Sequence, residues 1–295
     1  MELRVLRYFL VVAREETITR AAALLHVTQP TLSRQLMQLE QELGVQLFRR
    51  SQHRVILTDE GMLLRPRAQE LVDLADKTER EFLQNEEELS GEISVGSGEL
   101  QAMSYLADIL AAFQKRHPHV QFQIYSGNSD NIKERLERGI LDFGLLLEPV
   151  DISKYSFVRF PVKEQWGALV REEDLCAEKD SISPEDLVGK SLILTRRELV
   201  QQAFNRWLGP AAERVQISAS GNLPYNMTLL AKRNIGVFIT LKLDCDYKGL
   251  RFLPLFPRME SDTVFVWKKG EAFSPTASAF ISFVQKYGND ISENP

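Results

Sequence analysis

Four leucines, Leu32, Leu36, Leu39 and Leu43, recur at spacings of four, three and four. That rhythm puts them on one stripe of an α-helix and commits the stripe to a core. The surrounding stretch, 17–50, is punctuated as two helices and a turn. Thr17 can cap a short helix through Leu25, and His26-Val27-Thr28 is short enough to join it to a second helix packed against it. Thr28 suits the N-cap of that second helix. Gln29 and Pro30 fall in its first turn, where the missing proline N–H is not needed, and Gly44 supplies the stop.

Opposite the leucines lie Pro30, Thr31, Arg34, Gln38 and Gln41, with Ser33 and Gln35 flanking. Small hydroxyls, amides and a guanidinium are what a DNA major groove can engage: Arg reads guanine, Gln reads adenine, and hydroxyls or a helix N-terminus hold phosphates. Thr28, Gln29, Pro30, Thr31, Ser33, Arg34, Gln35 and Gln38 are therefore the candidate DNA-binding residues of this helix. Periodicity by itself supports equally a helix pair whose outer face is merely solvated. Leu3, Leu6, Tyr8, Phe9, Leu10 and Val12 give a first helix that packs under the pair. After Gly44, residues Arg49-Arg50-Ser51-Gln52-His53-Arg54 read as a polar turn between short extended pieces, the last being Val55-Ile56-Leu57. This is a wing whose Arg49, Arg50 and Arg54 can reach phosphates or an adjacent minor groove.

The run AAALLHVTQPTLSRQLMQLEQELGVQLFRRSQHRVILTDEG resembles, nearly position for position, the winged helix-turn-helix of LysR-type transcriptional regulators. The likeness is specific over residues 1–90 and architectural beyond them. It implies an α/β chain overall: a winged helix-turn-helix, a long dimerising linker helix, and a two-lobed α/β effector domain of periplasmic-binding-protein type. The implied partners are double-stranded DNA, a small-molecule effector, RNA polymerase and further copies of the chain, as a homodimer or a homotetramer. No cofactor, metal or membrane is implied.

Thr58 can cap the linker helix, with Asp59 and Glu60 complementing its dipole. Leu64, Ala68, Leu71, Ala75, Thr78, Phe82, Asn85 and Leu89 follow at alternating spacings of four and three, a heptad seam on a helix roughly 45 Å long. Such a seam needs a partner, either the same helix of a second subunit or the chain's own core, and a dimer can read a dyad-symmetric operator. Pro66 predicts a bend early in the helix. The expected domains are 1–58 for DNA binding, 59–90 for the linker, and 91–295 for the effector domain.

Net charge is -5 and the pI is about 5.6, which argues against nonspecific coating of nucleic acid. Locally the balance differs. From Thr28 to Leu57 the charges are Arg34, Arg49, Arg50 and Arg54 against Glu40 and Glu42, whereas from Glu79 to Glu92 six glutamates face Arg80 alone. Cys176 and Cys245 have no CxxC or Cys/His metal spacing, which suggests a reducing compartment. The apolar run Tyr8–Ala13 is far short of a membrane span or signal core, so a cytoplasmic protein is expected.

From Glu92 short apolar runs alternate with amphipathic helices, the order of a parallel sheet with helices on both faces. Lobe one is expected over 91–161 plus 268–295, with a final helix opened by Ser274-Pro275, and lobe two over 162–267. Ligands bind beyond the carboxyl ends of such strands. The candidate effector-binding residues are therefore Ser97, Gly98, Glu99, Ser126, Gly127, Asn128, Thr195, Arg196, Ser220, Gly221 and Asn222, with Thr240 at the interlobe crossing. Arg196 would suit a carboxylate, and Glu99 an amine or hydroxyl-rich compound. The stretch LLAKRNIGVFIT departs from the family's apolar-Ala-Gly-apolar-Gly pattern, with Lys232, Arg233 and Asn234 where small residues are usual.

Two other readings fit parts of the chain. An enzyme on a two-lobed fold would use His26, His53, His117 or His119, but no nucleophile elbow, phosphate-cradling loop or metal spacing accompanies them. A DNA-binding protein whose C-terminal half only oligomerises would not be stabilised by small molecules.

Overall fold

The computed structural model describes residues 1–50, 54–82 and 89–292, and the chain divides into two compact units, Met1–Gln84 and Asn85–Pro295. In the first unit α1 (Leu3–Glu15), α2 (Ile18–Leu24) and α3 (Gln29–Leu43) precede a hairpin of β1 (Phe48–Arg50) and β2 (Val55–Leu57), and α4 (Asp59–Phe82) follows. Its core joins Leu6, Phe9 and Val12 of α1, Ala21 and Ala22 of α2, Leu32, Leu36 and Leu39 of α3, and Leu47. Leu43 departs from the expected stripe: it is exposed, in the last turn before Gly44 ends the helix in the left-handed region (φ 70°). Thr17 is at the N-cap of α2, but its buried hydroxyl caps nothing and has no hydrogen-bond partner.

Thr58 does cap α4. Its hydroxyl accepts from the Gly61 amide (3.0 Å) and donates to the Gln46 carbonyl (2.6 Å). Position 61 requires glycine, because a Cβ there would stand 2.2 Å from the Leu47 carbonyl oxygen. The helix runs on through Pro66. The expected seam divides between two jobs: Leu64 and Ala68, with Val72, pack into the unit's own core, so the start of α4 belongs to this core and is more than a connector. Leu71 and Leu74 stay exposed, as does Leu63 about two turns earlier. Of the remaining seam positions, the Phe82 side chain and Asn85 lie outside the described residues, and Leu89 packs against a core of the second unit.

The second unit holds two sheets. The first contains β3 (Gly91–Ser97), β4 (Val120–Ser126), β5 (Phe143–Leu147) and β6 (Tyr155–Arg159), interspersed with α5 (Ala102–Arg116) and α6 (Ser129–Glu137). The second contains β7 (Glu164–Arg171), β8 (Ser191–Thr195), β9 (Gln216–Gly221), β10 (Val237–Leu241) and β11 (Leu250–Pro254), with α7 (Glu198–Leu208) and α8 (Pro224–Lys232). The short β12 (Glu260–Ser261) also pairs with β7; then β13 (Thr263–Lys268) and α9 (Pro275–Ser292) return to the first lobe.

Strand order is β4-β3-β5-β13-β6 in one sheet and β11-β7-β10-β8-β9 in the other. Only β3 with β4 and β5, and β8 with β9 and β10, are parallel. The expected all-parallel sheets are thus mixed. β7 and β11 enter antiparallel, as does β13 between β5 and β6. Because β13 completes the first sheet, 263–267 belongs to lobe one and the return crossing lies near Asp262, earlier than the 267/268 boundary expected from sequence.

Glu164, the first residue of β7, is fully buried beside that crossing region. Its carboxylate accepts from the Ala102 amide (2.8 Å) and the Gln101 amide (3.1 Å), and so satisfies the open N-terminus of α5 in the other lobe. Burial nevertheless outweighs those two bonds and raises its pKa above the ordinary glutamate value. With a folded pKa above the unfolded one, its contribution to stability is fully present below the unfolded value, about 4.3, and is lost as pH rises through the folded value. Melting temperature measured against pH should therefore show a falling component across that window, and Glu164→Gln should flatten it.

Candidate functional site

Two places gather the chemistry. On α3 the core stripe leaves the opposite side open: Gln29, Pro30, Thr31, Arg34, Gln38 and Gln41 are exposed, and Ser33 and Gln35 are half-buried at the margins. Thr28 caps the helix, its hydroxyl accepting from the Thr31 amide at 3.4 Å and lying 2.8 Å from the Thr31 hydroxyl. Arg34 forms no ion pair among the described residues. Gln38 is less free, since its amide donates to Glu42 at 3.4 Å.

The hairpin starts earlier than expected, with Arg49 and Arg50 inside β1, paired to Ile56 and Val55. Arg49 is exposed; the Arg50 side chain and Ser51–His53 lie outside the described residues. Arg54 is exposed too, but its guanidinium is engaged by Glu16 at 3.3 Å, at the left-handed C-terminus of α1 (φ 55°). Sequence reasoning missed Glu40. Its Oε1 accepts from the amides of Leu47 (2.7 Å) and Phe48 (3.2 Å), fixing the strand that carries Arg49 to the helix that carries Arg34.

In the second unit the carboxyl ends of the parallel strands converge on one cavity of about 100 Å³. Gly98 and Glu99 follow β3, and Ser126, Gly127 and Asn128 follow β4. Thr195 ends β8, Gly221 and Asn222 follow from β9, and Thr240 lies on β10; all line the cavity. Asn128 also caps α6, accepting from the Asn131 amide at 2.9 Å.

Three expected residues do not reach the lining. Ser97 is buried, with its hydroxyl turned to the Gly98 carbonyl (2.9 Å). Arg196 is exposed and donates through Nε to the Ser220 hydroxyl (3.2 Å), so those two side chains hold each other outside. The basic group at the cavity is the next residue, Arg197, only 5% exposed at the N-cap of α7. Its Nη2 donates to the carbonyls of Leu147 (3.1 Å) and Pro149 (2.8 Å) in the other lobe. Burial depresses its pKa. Two adjacent arginines at a strand end were a visible signal, but which of them turns inward is decided by the backbone of the short turn between β8 and α7. Apolar walls were missed as well, including Leu100, Trp166, Met227 and Phe238. The unusual Lys232, Arg233 and Asn234 lie at the far end of α8, exposed and away from this cavity.

A winged helix-turn-helix followed by a two-lobed α/β unit with a cavity at its strand ends defines a ligand-responsive DNA-binding protein by class. Residues 3–62 match the helix-turn-helix of bacterial regulatory proteins of the lysR family, and residues 86–289 match the LysR substrate binding domain. The chain belongs to the LysR family: it is a DNA-binding transcriptional regulator with an effector-binding domain, and not an enzyme. It is similar to the uncharacterized HTH-type transcriptional regulator YybE of Bacillus subtilis (strain 168), with 25% identity over 297 residues, 96% of this chain and 98% of that protein. Its likeness to the Hca operon transcriptional activator HcaR of Escherichia coli (strain K12) is 27% over 300 residues, 97% of this chain and 98% of that one. The fold is similar to that of CbnR, a LysR family transcriptional regulator, with a TM-score of 0.76 at 21% identity over 98% of this chain and 99% of that one.

The Glu40 bridge generates a direct expectation. Glu40→Ala leaves the Leu47 and Phe48 amides without their acceptor and should destabilise the first unit by about 1–3 kcal/mol. Chemical denaturation of the full-length variant checks this.

Proposed function

We propose that the protein binds dyad-symmetric operators as a dimer or a dimer of dimers, reading the major groove with α3 and holding the flanking backbone with the wing. The observation that carries this reading is the polar outer face of α3, presented with an unpaired Arg34 on a helix whose other side is committed to the core. Thr28, Gln29, Pro30 and Thr31 offer the helix N-terminus to phosphate, Ser33, Arg34, Gln35 and Gln38 face the base edges, and Arg49, Arg50 and Arg54 serve the wing. A small-molecule effector enters the interlobe cleft. By favouring one arrangement of lobes or subunits over another, it changes how the dimers sit on DNA and their contact with RNA polymerase. No helix among the described residues is long and apolar enough to cross a membrane, which accords with a cytoplasmic site of action.

Arg34→Ala should lower affinity for the cognate operator by about 1–3 kcal/mol and relax base preference, while Arg54→Ala should weaken binding evenly across sequences and reduce the salt slope by about one. Salt-titrated binding to operator and scrambled duplexes separates the two. Equal affinity of all three proteins for the operator would overturn the interface.

The exposed Leu63, Leu71 and Leu74 supply the apolar lane for subunit pairing, on the side of α4 not spent on its own core. Leu71→Asp with Leu74→Asp should shift the protein toward monomer in sedimentation while leaving each unit folded.

A further inference from the structure

Most of the cavity lining is apolar, with Leu100, Leu145, Leu147, Trp166, Met227 and Phe238 among its walls. Into this lining is set one strong cation. Arg197 is 95% enclosed, being 5% exposed, and lines the cavity. Its Nη2 is taken by the Leu147 and Pro149 carbonyls, while its Nε is buried with no hydrogen-bond partner. Two neutral carbonyls do not neutralise a guanidinium, and a buried cation with no carboxylate in contact is unfavourable. The acidic groups nearby stay out of contact: Glu99 is exposed at the rim, and Asp130, exposed on α6, favours the Arg197 charge only through space. The fields of the surroundings share the sign of Arg197, since residues at the N-termini of α6, α7 and α8 (Asn128, Arg197 and Pro224) all line the space.

We infer that the effector of this protein is a small monocarboxylic acid with a compact apolar body, its carboxylate received by the guanidinium of Arg197 at the cavity lining. This rests on the reading of the cleft as the effector site. Size follows from the cavity: about 100 Å³ is less than the roughly 150 Å³ of an apolar protein cavity that admits benzene. A branched short-chain acid fits that volume, a single-ring acid exceeds it and would have to extend to the open rim, and a dinucleotide is excluded. Charge follows from the enclosed guanidinium at the lining, which an anionic oxygen offsets and an apolar ligand leaves uncompensated. Because Arg197 stands on lobe two and grips carbonyls of lobe one, an anion bound to it sits on the tie between the lobes. Occupancy thereby acts on the interlobe arrangement.

The test uses full-length protein and four probes, isobutyrate and benzoate beside their neutral counterparts isobutyramide and benzamide, with inorganic phosphate as a fifth. Thermal shift and calorimetry give affinities for the wild type, Arg197→Gln and Asn222→Trp, the last obstructing the exposed rim of the cleft. At least one acid should bind about ten- to a hundredfold more tightly than its amide, a difference expected for one charge-assisted hydrogen bond. Arg197→Gln should abolish that preference, and Asn222→Trp should remove binding altogether. If Arg197→Gln fails to fold, the acid-to-amide ratio in the wild type and its loss in Asn222→Trp still decide. Equal binding of acid and amide that disappears in Asn222→Trp overturns the carboxylate anchor and leaves the cleft reading standing. Binding that survives Asn222→Trp overturns the cleft reading itself. Stabilisation by phosphate alone, or by none of the acids, overturns the inference.

Discussion

One packing constraint organises the first unit: Leu32, Leu36 and Leu39 are buried on a single side of α3, against α1 and α2. A helix held by one stripe cannot roll without exposing it, and turning three buried leucines to water would cost on the order of 5 kcal/mol or more. The outer face therefore has a fixed aim, and Arg34 at its middle forms no ion pair among the described residues. Glu40 extends the constraint across Gly44 by binding the first amides of the returning chain, so that helix and wing share one rigid frame. The start of α4 is drawn into the same core through Ala68 and Val72, which leaves Leu63, Leu71 and Leu74 exposed along the rest of the helix.

The second unit depends on polar ties between lobes that have separate cores. Glu164 of one lobe closes the helix N-terminus of the other, and Arg197 holds carbonyls across the gap at the cavity. Both are charged groups deep in the protein, where an apolar contact would have joined the lobes more simply. Their placement keeps the joint directional: each bond requires particular donors and acceptors to meet, so the lobes dock in few ways. The small residues at the strand ends then form a lining whose shape is set by the sheets and not by loops alone.

How much of this was legible beforehand follows from the range of each signal. Caps, stops and the leucine stripe are local, so α3, its Thr28 cap and its Gly44 terminator could be read directly. The strand-end clusters were readable too, because Gly, Ser and Asn mark the turns where parallel strands finish. Strand direction has no local signature. β7, β11 and β13 look like other apolar runs, and only their pairing partners reveal that they run antiparallel and that 263–267 returns to the first sheet. The seam on α4 was ambiguous in a similar way: its spacing was real, but spacing does not say whether Ala68 meets the chain's own core or another chain. The choice between Arg196 and Arg197 turned on the path of the two-residue turn between β8 and α7, which carries no local signal in the sequence.

The ion pair between Arg54 and Glu16 bears on how such a wing meets a duplex. A carboxylate already occupies the guanidinium that a backbone phosphate would claim, and the amide of Val55 donates to the Glu16 carbonyl at 2.8 Å beside it. Docking at this point is an exchange of one anion for another, not the capture of a bare charge. The hairpin base is thus fastened to the end of α1 without nucleic acid, and the charge of Arg54 is partly offset there.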